Sequence, residues 1–177
     1  MNSMCNLITD RQKKLVDYLK TTTFMTDPAS ARYHGNHKGG LLIHSLNVSA
    51  NLGSLTATQG LIWERIESPY IIGLAHDMCK IGAYLSDGNG GYAYNHDQPK
   101  GHGDLSVRRV KEVIDITDEE EACIRWHMGA YEWRESKAET GAVWNQYNEA
   151  IKRFPNVLYT HTADMIATFI DEKEALT

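Results

Sequence analysis

An adjacent histidine and aspartate, His76 and Asp77, are followed by Lys80, and side chains of these types at this spacing are suited to chemistry. The apolar run 70–75 leads directly into the pair, which predicts that His76 and Asp77 lie at the buried end of a helix. Buried ionisable groups need a partner, and a divalent metal is a common one for an imidazole and a carboxylate. For a His-Asp dipeptide taken alone, a solvated pair or a structural hydrogen bond is the alternative.

Two further residues complete a set of the form His…His-Asp…Asp. His44 lies on the apolar side of a predicted helix, and Asp164 lies on the last predicted helix. A lone histidine on an apolar face is more often a satisfied core residue, so the role of His44 depends on what it faces. The apolar faces of these helices must converge on one core. We therefore expect His44, Asp164 and the His76-Asp77 pair to meet in a nitrogen and oxygen shell that suits Mn, Fe, Zn, Ni or Co, with Mg preferring more oxygen.

Hydrophobic periodicity predicts an all-α fold of six or seven helices in a single domain, 1–177. The turn sequence 87–91 predicts a short hairpin or an ordered lid around residues 84–100. The polar segment 130–139 is expected to be an exposed connection. The predicted helices span about 9–22, 40–58, 68–80, 101–116, 118–128, 140–153 and 156–172.

Composition narrows the classes of partner and compartment. The chain has 177 residues, 42% of them hydrophobic and 23% charged, and a formal charge of −5, which argues against a broad nucleic-acid surface but not against a small anionic substrate. Three widely spaced cysteines without a CxxC pattern indicate reduced thiols in a cytoplasmic protein. The first ten residues lack the apolar core of a signal peptide, and no apolar run approaches membrane-spanning length. We therefore expect no membrane association, while a homo-oligomer stays open.

Five short segments have a characteristic order and spacing: 39–46, 76–82, 101–103, 125–128 and 163–164. In these segments the chain resembles the HD-domain superfamily of metal-dependent phosphohydrolases. The resemblance covers about 39–168, most of the chain, and is far more specific than the His-Asp dipeptide. It implies a helical bundle of the HD-domain type.

The resemblance also implies a ligand set. In the family, the first histidine, the HD pair and the distal aspartate hold one metal, and these map onto His44, His76, Asp77 and Asp164. Members with additional histidines hold a second ion, with the HD aspartate bridging the two, and His102 and His127 occupy those places here. One departure is that some binuclear members have a double histidine where this chain has His127-Met128, so the second ion lacks a third imidazole. We expect one or two divalent transition ions.

The activity implied is hydrolysis of a phosphoric ester by a metal-activated water, with Asp77 and Lys80 as catalytic residues. The pairing of HD with Lys80 is like that of phosphodiesterase-type members, in which the lysine contacts the substrate phosphate. Arg109 is expected to hold the phosphate as a fork or to be an ordinary solvated residue. His161 shares a helix face with Asp164 and is expected to reach the pocket, as a substrate contact or as a group that supports the ligands or transfers a proton. His34 is either a substrate contact or, as the more ordinary interpretation, a surface histidine.

The expected substrate is small and phosphorylated: a nucleotide, a cyclic nucleotide or an oligonucleotide end. The resemblance to the HD module of bacterial 3′–5′ exoribonucleases leaves a nuclease open, although the negative charge and the lack of an oligonucleotide-binding barrel disfavour extended nucleic acid. The alternatives are a catalytically silent metal-binding or nucleotide-binding regulatory module and an HD-type di-iron oxygenase.

Overall fold

The computed structural model describes residues 8–99, 101–131 and 140–173. Within these ranges the fold is all-α, as predicted, with seven α-helices and one two-stranded antiparallel hairpin. Most of the predicted connection 130–139 lies outside the described residues. The helices are α1 (Asp10–Lys20), α2 (Gly40–Gln59), α3 (Ser68–Ala75), α4 (His102–Lys111), α5 (Asp118–Arg125), α6 (Thr140–Arg153) and α7 (Asn156–Ile166), and the strands are β1 (Tyr84–Ser86) and β2 (Tyr92–Tyr94).

Several helix starts follow from local sequence signals. Thr9 and Thr117 each form a capping box, in which the threonine hydroxyl and the side chain three residues later satisfy reciprocal backbone N–H groups. Pro69 lies in the first turn of α3, where its missing N–H costs no intrahelical bond. These residues were sufficient to predict where α1, α3 and α5 begin.

Several helices end earlier than periodicity predicts. α3 stops at Ala75 rather than near Lys80, because the N–H of Cys79 donates to the Ser106 hydroxyl at 3.0 Å, and a 3₁₀ turn, Met78–Lys80, follows. α4 and α5 likewise end before Ile116 and His127. The last helix changes at Ala167–Asp171 from α to π geometry. The end of α3 and the π segment lie beside the candidate site, because they are adjacent in the chain to Asp77 and Glu172.

Helix α2 is the centre of the packing and contacts α3 and α7 most extensively. The crossing with α3 is unusually close at Gly73, where an added Cβ would lie 2.2 Å from the Ser49 hydroxyl oxygen and 2.6 Å from the Ser49 backbone nitrogen. Only glycine permits this approach. The buried apolar side chains of α1 to α5 and α7 form one hydrophobic cluster around this crossing.

A buried polar network joins α1, α3 and α5 on the side of the fold away from the candidate site. The side chain of Glu120 is fully buried and accepts hydrogen bonds from Arg11 at 2.5 Å and from the Ser68 hydroxyl at 2.8 Å. Arg11 also donates to Glu67 at 2.8 Å. Burial is tolerated because every charge in the network is paired.

Among the helices that the structure describes, none combines the length and the apolar character needed to cross a bilayer.

Candidate metal centre

The His76-Asp77 pair sits where α3 ends. His76 is completely buried, and its Nδ1–H donates to the carbonyl of Gly73 at 2.8 Å, which leaves the Nε2 lone pair for the interior of the site. Asp77 has already left the α-helical conformation, with φ −108° and ψ 20°. The turn that follows is held by Asp27, whose carboxylate accepts from the N–H of Gly82 at 2.7 Å. This geometry aims both side chains of the pair in the same direction.

His44 reaches the pair from the second turn of α2. Its Nε2 lies 3.2 Å from Nε2 of His76, 3.5 Å from Oδ2 of Asp77 and 3.2 Å from Oδ1 of Asp164. On the opposite side of the ring, Nδ1 lies 3.0 Å from Oε1 of Glu172. A carboxylate can only accept, so Nδ1 carries the hydrogen and Nε2 faces the other ligands.

The second oxygen of Asp77 faces the two additional histidines. Its Oδ1 lies 2.9 Å from Nε2 of His102 and 3.5 Å from Nε2 of His127. The ring of His127 is oriented by its Nδ1–H, which donates to the carbonyl of Ile124 at 2.7 Å. Three atoms that face one another here are buried and lack a hydrogen-bond partner of acceptable geometry: Oδ1 of Asp77, Nε2 of His102 and Nε2 of His127. Orphaned buried polar atoms of this kind require an explanation, and a bound cation is one.

The donor atoms fit one or two divalent transition ions. Two of the groups that could hold an ion combine imidazole nitrogens with Asp77: His44 and His76 on one side, and His102 and His127 on the other, with the donor atoms of each group within 4.8 Å of one another. Three carboxylates contact these imidazoles, those of Asp77, Asp164 and Glu172, and the ammonium in contact with the cluster is that of Lys80. These four charged groups sum to two excess negative charges when the imidazoles are neutral. A buried excess of that size favours a divalent cation. The structure thus brings together all six predicted ligands: His44, His76, Asp77, His102, His127 and Asp164.

The protonation equilibria also favour positive charge at the centre. Burial opposes a charge on His44, but hydrogen bonds to Asp164 and Glu172 outweigh it and raise the pKa of this imidazole to about 9. Burial likewise opposes ionisation of Asp77, yet the charge of Lys80 keeps the pKa of the carboxyl well below its usual value. The pKa of Asp164 is lowered because its hydrogen bond with His44 prevails over burial. A proton and a metal ion therefore compete for Nε2 of His44.

Lys80 lies at the boundary between the cluster and an open cleft. Its ammonium is 2.7 Å from Oδ2 of Asp77, and although burial opposes the charge, the attraction of Asp77 raises the pKa of Lys80. The cleft has a volume of about 1190 Å³. Both Asp77 and Asp164 line it, so the candidate ligands are accessible to a small molecule. Lys80 is thus a permanently charged group next to the ligands and within the cleft.

Arg109 is placed differently from the expected phosphate contact. Its guanidinium donates to the carbonyls of Met78 at 2.6 Å and Ile81 at 3.0 Å, and to the side chain of Gln98 at 3.0 Å. These acceptors lie in and beside the turn that carries Asp77 and Lys80. The hydrogen bonds make Arg109 a residue that positions this turn, because its donors are directed to the backbone.

We expect Arg109→Met to weaken metal binding by about 10–100-fold, because the turn holding Asp77 would lose two of its backbone contacts. Titration of metal-stripped protein with Mn²⁺ or Zn²⁺ measures the effect, and Arg108→Met, on the exposed side of the same helix, is the matched control. A higher KM for a phosphoester with unchanged metal affinity would instead indicate that Arg109 contacts the substrate phosphate.

His161 is also placed behind the site. Its Nδ1–H donates to the carbonyl of His127 at 2.7 Å, and its ring packs over Gly129, where an added Cβ would lie 3.1 Å from the imidazole. This differs from the expected substrate contact, since the contacts of His161 hold the segment that carries His127.

Two further residues complete the neighbourhood. Glu172, which sequence reasoning did not assign, orients His44 as described. His34, for which a substrate contact and a surface position were both open, lines the cleft with its ring centroid 4.7 Å from that of His44. Burial, together with the charge of Lys80, lowers the pKa of His34 to about 4, so this imidazole is neutral at physiological pH. Glu172 could not be found from helical spacing, because the π segment Ala167–Asp171 changes its direction.

In comparisons with known proteins, no family model, curated protein or solved structure matches the chain.

Proposed function

We propose that this chain is a metal-dependent hydrolase of phosphoric esters of the HD-domain type. The observation that carries the proposal is a largely buried cluster of six side chains with nitrogen or oxygen donor atoms, open on one side to a cleft in which the Lys80 ammonium lies beside Asp77. Ligands buried on one side and open on the other are typical of catalytic rather than purely structural metal sites.

A divalent ion held by these residues would supply an acidified water as nucleophile and would offset charge on the phosphoryl oxygens. The protein residues have separate tasks. Asp77 stays ionised and presents one oxygen to each side of the cluster, while Lys80 remains protonated and attracts the phosphoryl group. His44, His76 and His127 have their Nδ1 hydrogens engaged with Glu172, Gly73 and Ile124, which fixes the tautomer that turns Nε2 inward.

The side chains of the cleft support a nucleotide-like substrate. Arg32 and Lys173 line it with Lys80, so an anion meets three cations in addition to any bound metal. Aromatic residues on several sides offer stacking surfaces for a base. These aromatic residues are Tyr33, Tyr84, Tyr94, Tyr131 and Phe169.

A second ion at His102 and His127 would share Asp77 with the first. The position that would supply a third imidazole is Met128, which lines the cleft, so waters would complete this second shell. We therefore expect the second ion to bind more weakly than the first.

The test combines elemental analysis of the purified protein with assays of bis-(p-nitrophenyl) phosphate and p-nitrophenyl phosphate, each in the presence of Mn, Ni, Co, Mg or Zn. We expect at least one transition ion per chain and metal-dependent release of nitrophenolate. Cleavage of the diester would assign a phosphodiesterase, and cleavage of the monoester alone a nucleotidase.

Stoichiometric metal without cleavage of either ester, or of a panel of nucleotides, would contradict hydrolysis and favour the silent regulatory module. Oxygen-dependent product formation with an iron spectrum would instead favour the di-iron oxygenase. Protein without stoichiometric metal would contradict the metal centre itself.

A further inference from the structure

Beside the candidate metal ligands, the cleft contains two buried polar atoms with no hydrogen-bond partner. They are Nε2 of His34 and Oε2 of Glu172. A ring nitrogen of each of His34 and His44 and a carboxylate oxygen of Glu172 lie within 4.8 Å of one another, and both His34 and Glu172 line the cleft. This pair is separate from the orphaned atoms around Asp77, which lie on the other side of His44.

The loop that carries His34 is built to hold it in place. The buried hydroxyl of Ser30 donates to the His34 carbonyl at 2.9 Å and accepts from the N–H of Tyr33 at 2.8 Å. Gly35 has a positive φ of 60°, and its carbonyl accepts from the N–H of Ala29 at 2.9 Å. An added Cβ on Gly40 would lie 2.0 Å from that same carbonyl, so the loop is clamped against the start of α2. His34 therefore has a defined position at the cleft wall.

A further metal ion is a poor occupant for this place. Oε1 of Glu172 already accepts from His44 and from the side-chain amide of Asn47, at 3.0 and 3.1 Å. The Nδ1 of His44 is engaged in that contact, and its Nε2 faces Asp77 and Asp164. Only His34 and one oxygen of Glu172 are left to bind, whereas protein sites for transition ions normally supply three or four ligands.

A hydroxyl group fits the two atoms by its hydrogen-bonding capacity. The carboxylate oxygen can only accept, and a neutral imidazole nitrogen bearing hydrogen donates, while a hydroxyl donates one hydrogen bond and accepts another. In a nucleotide the sugar is bonded directly to the phosphate, so a site for a sugar hydroxyl must adjoin the site for the phosphoryl group. His34 and Glu172 adjoin the ligands in this way, through the ring of His44.

We propose that His34 and Glu172 bind a hydroxyl group of the nucleotide's ribose. The inference rests on the proposed function only in taking a nucleotide as the ligand. A site that hydrogen-bonds a hydroxyl discriminates strongly against an analogue lacking it, because its buried polar atoms are then left unpaired.

The test is calorimetric binding of the four common ribonucleoside 5′-monophosphates and their 2′,3′-dideoxy counterparts to the metal-loaded protein, with hydrolysis of bis-(p-nitrophenyl) phosphate measured in parallel. We expect the native protein to bind at least one ribonucleotide about 10–100-fold more tightly than its dideoxy counterpart. His34→Phe should remove this preference while leaving the metal content unchanged. His34→Gln, which keeps a donor, should restore part of the preference, and His37→Phe, at an exposed position in the same loop, is the control.

Equal binding of both nucleotide types by the native protein, or no binding of either, would overturn the inference. A loss of metal in His34→Phe would also overturn it, since His34 would then be a ligand. Native protein that prefers ribonucleotides but cleaves no ester would refute the proposed function and leave the hydroxyl site standing. Cleavage of the sugar-free diester without a ribose preference would refute the hydroxyl site and leave the proposed function standing.

Discussion

Asp77→Asn is expected to remove both the bound metal and the hydrolytic activity while leaving the α-helical circular dichroism spectrum unchanged. Asp77 contacts both halves of the cluster, with Oδ2 toward His44, His76 and Lys80 and Oδ1 toward His102 and His127. The amide has nearly the same shape but removes one of the two excess negative charges that favour a divalent ion.

The loss of activity should be at least about a thousandfold, which corresponds to roughly 4 kcal/mol of transition-state stabilisation, a usual contribution of a catalytic metal. Elemental analysis and steady-state rates measure the two effects. Asp97→Asn, at an exposed position in the segment after the hairpin, is the control and should behave as native. Full activity of Asp77→Asn would refute the assignment of the site.

Gly73→Ala is expected to have the largest effect on stability, with a loss of about 1–3 kcal/mol from overpacking. The added methyl group would meet the Ser49 backbone at 2.6 Å, and backbone atoms in the middle of α2 cannot give way as a flexible side chain would. Because the Gly73 carbonyl also orients His76, any shift of α3 disturbs the metal ligands, so metal affinity should fall together with stability.

Urea unfolding followed by circular dichroism measures the change in the free energy of unfolding. Gly53→Ala provides a matched control on α2, because an added Cβ there meets nothing within 4 Å. That substitution should stabilise the protein by about 0.5–1 kcal/mol, since alanine is the better helix former. Equal effects at the two glycines would contradict close packing between α2 and α3 as the cause.

The all-α class and most helix starts could be predicted from sequence, because they depend on short-range signals. The capping boxes at Thr9 and Thr117 are complete within four residues, and the hairpin follows from the turn residues between its strands. The convergence of His44, His76, Asp77 and Asp164 was also predictable, because each lies on the apolar face or at the buried end of a helix that must join one core.

The direction of individual side chains at the rim of the site depended on tertiary contacts. The Ser106 hydroxyl of α4 accepts from the N–H of Cys79 beyond the end of α3, and carbonyls of this turn accept from Arg109. For Arg109 the sequence had left a phosphate contact and a solvated position open. No local signal foretells such pairings between residues about 30 positions apart in the chain.

The sequence by itself therefore determined the helical class and the convergence of His44, His76, Asp77 and Asp164, since residue type and period decide what is buried. His102 and His127 were expected from the family resemblance rather than from periodicity. Only the tertiary structure decided that Glu172 orients His44 and that His34 faces the cleft. The first depends on the π segment after α7, and the second on a loop clamped by Gly35 and Gly40. Both placements depend on how segments distant in the chain pack against each other, and this packing cannot be inferred from composition or periodicity.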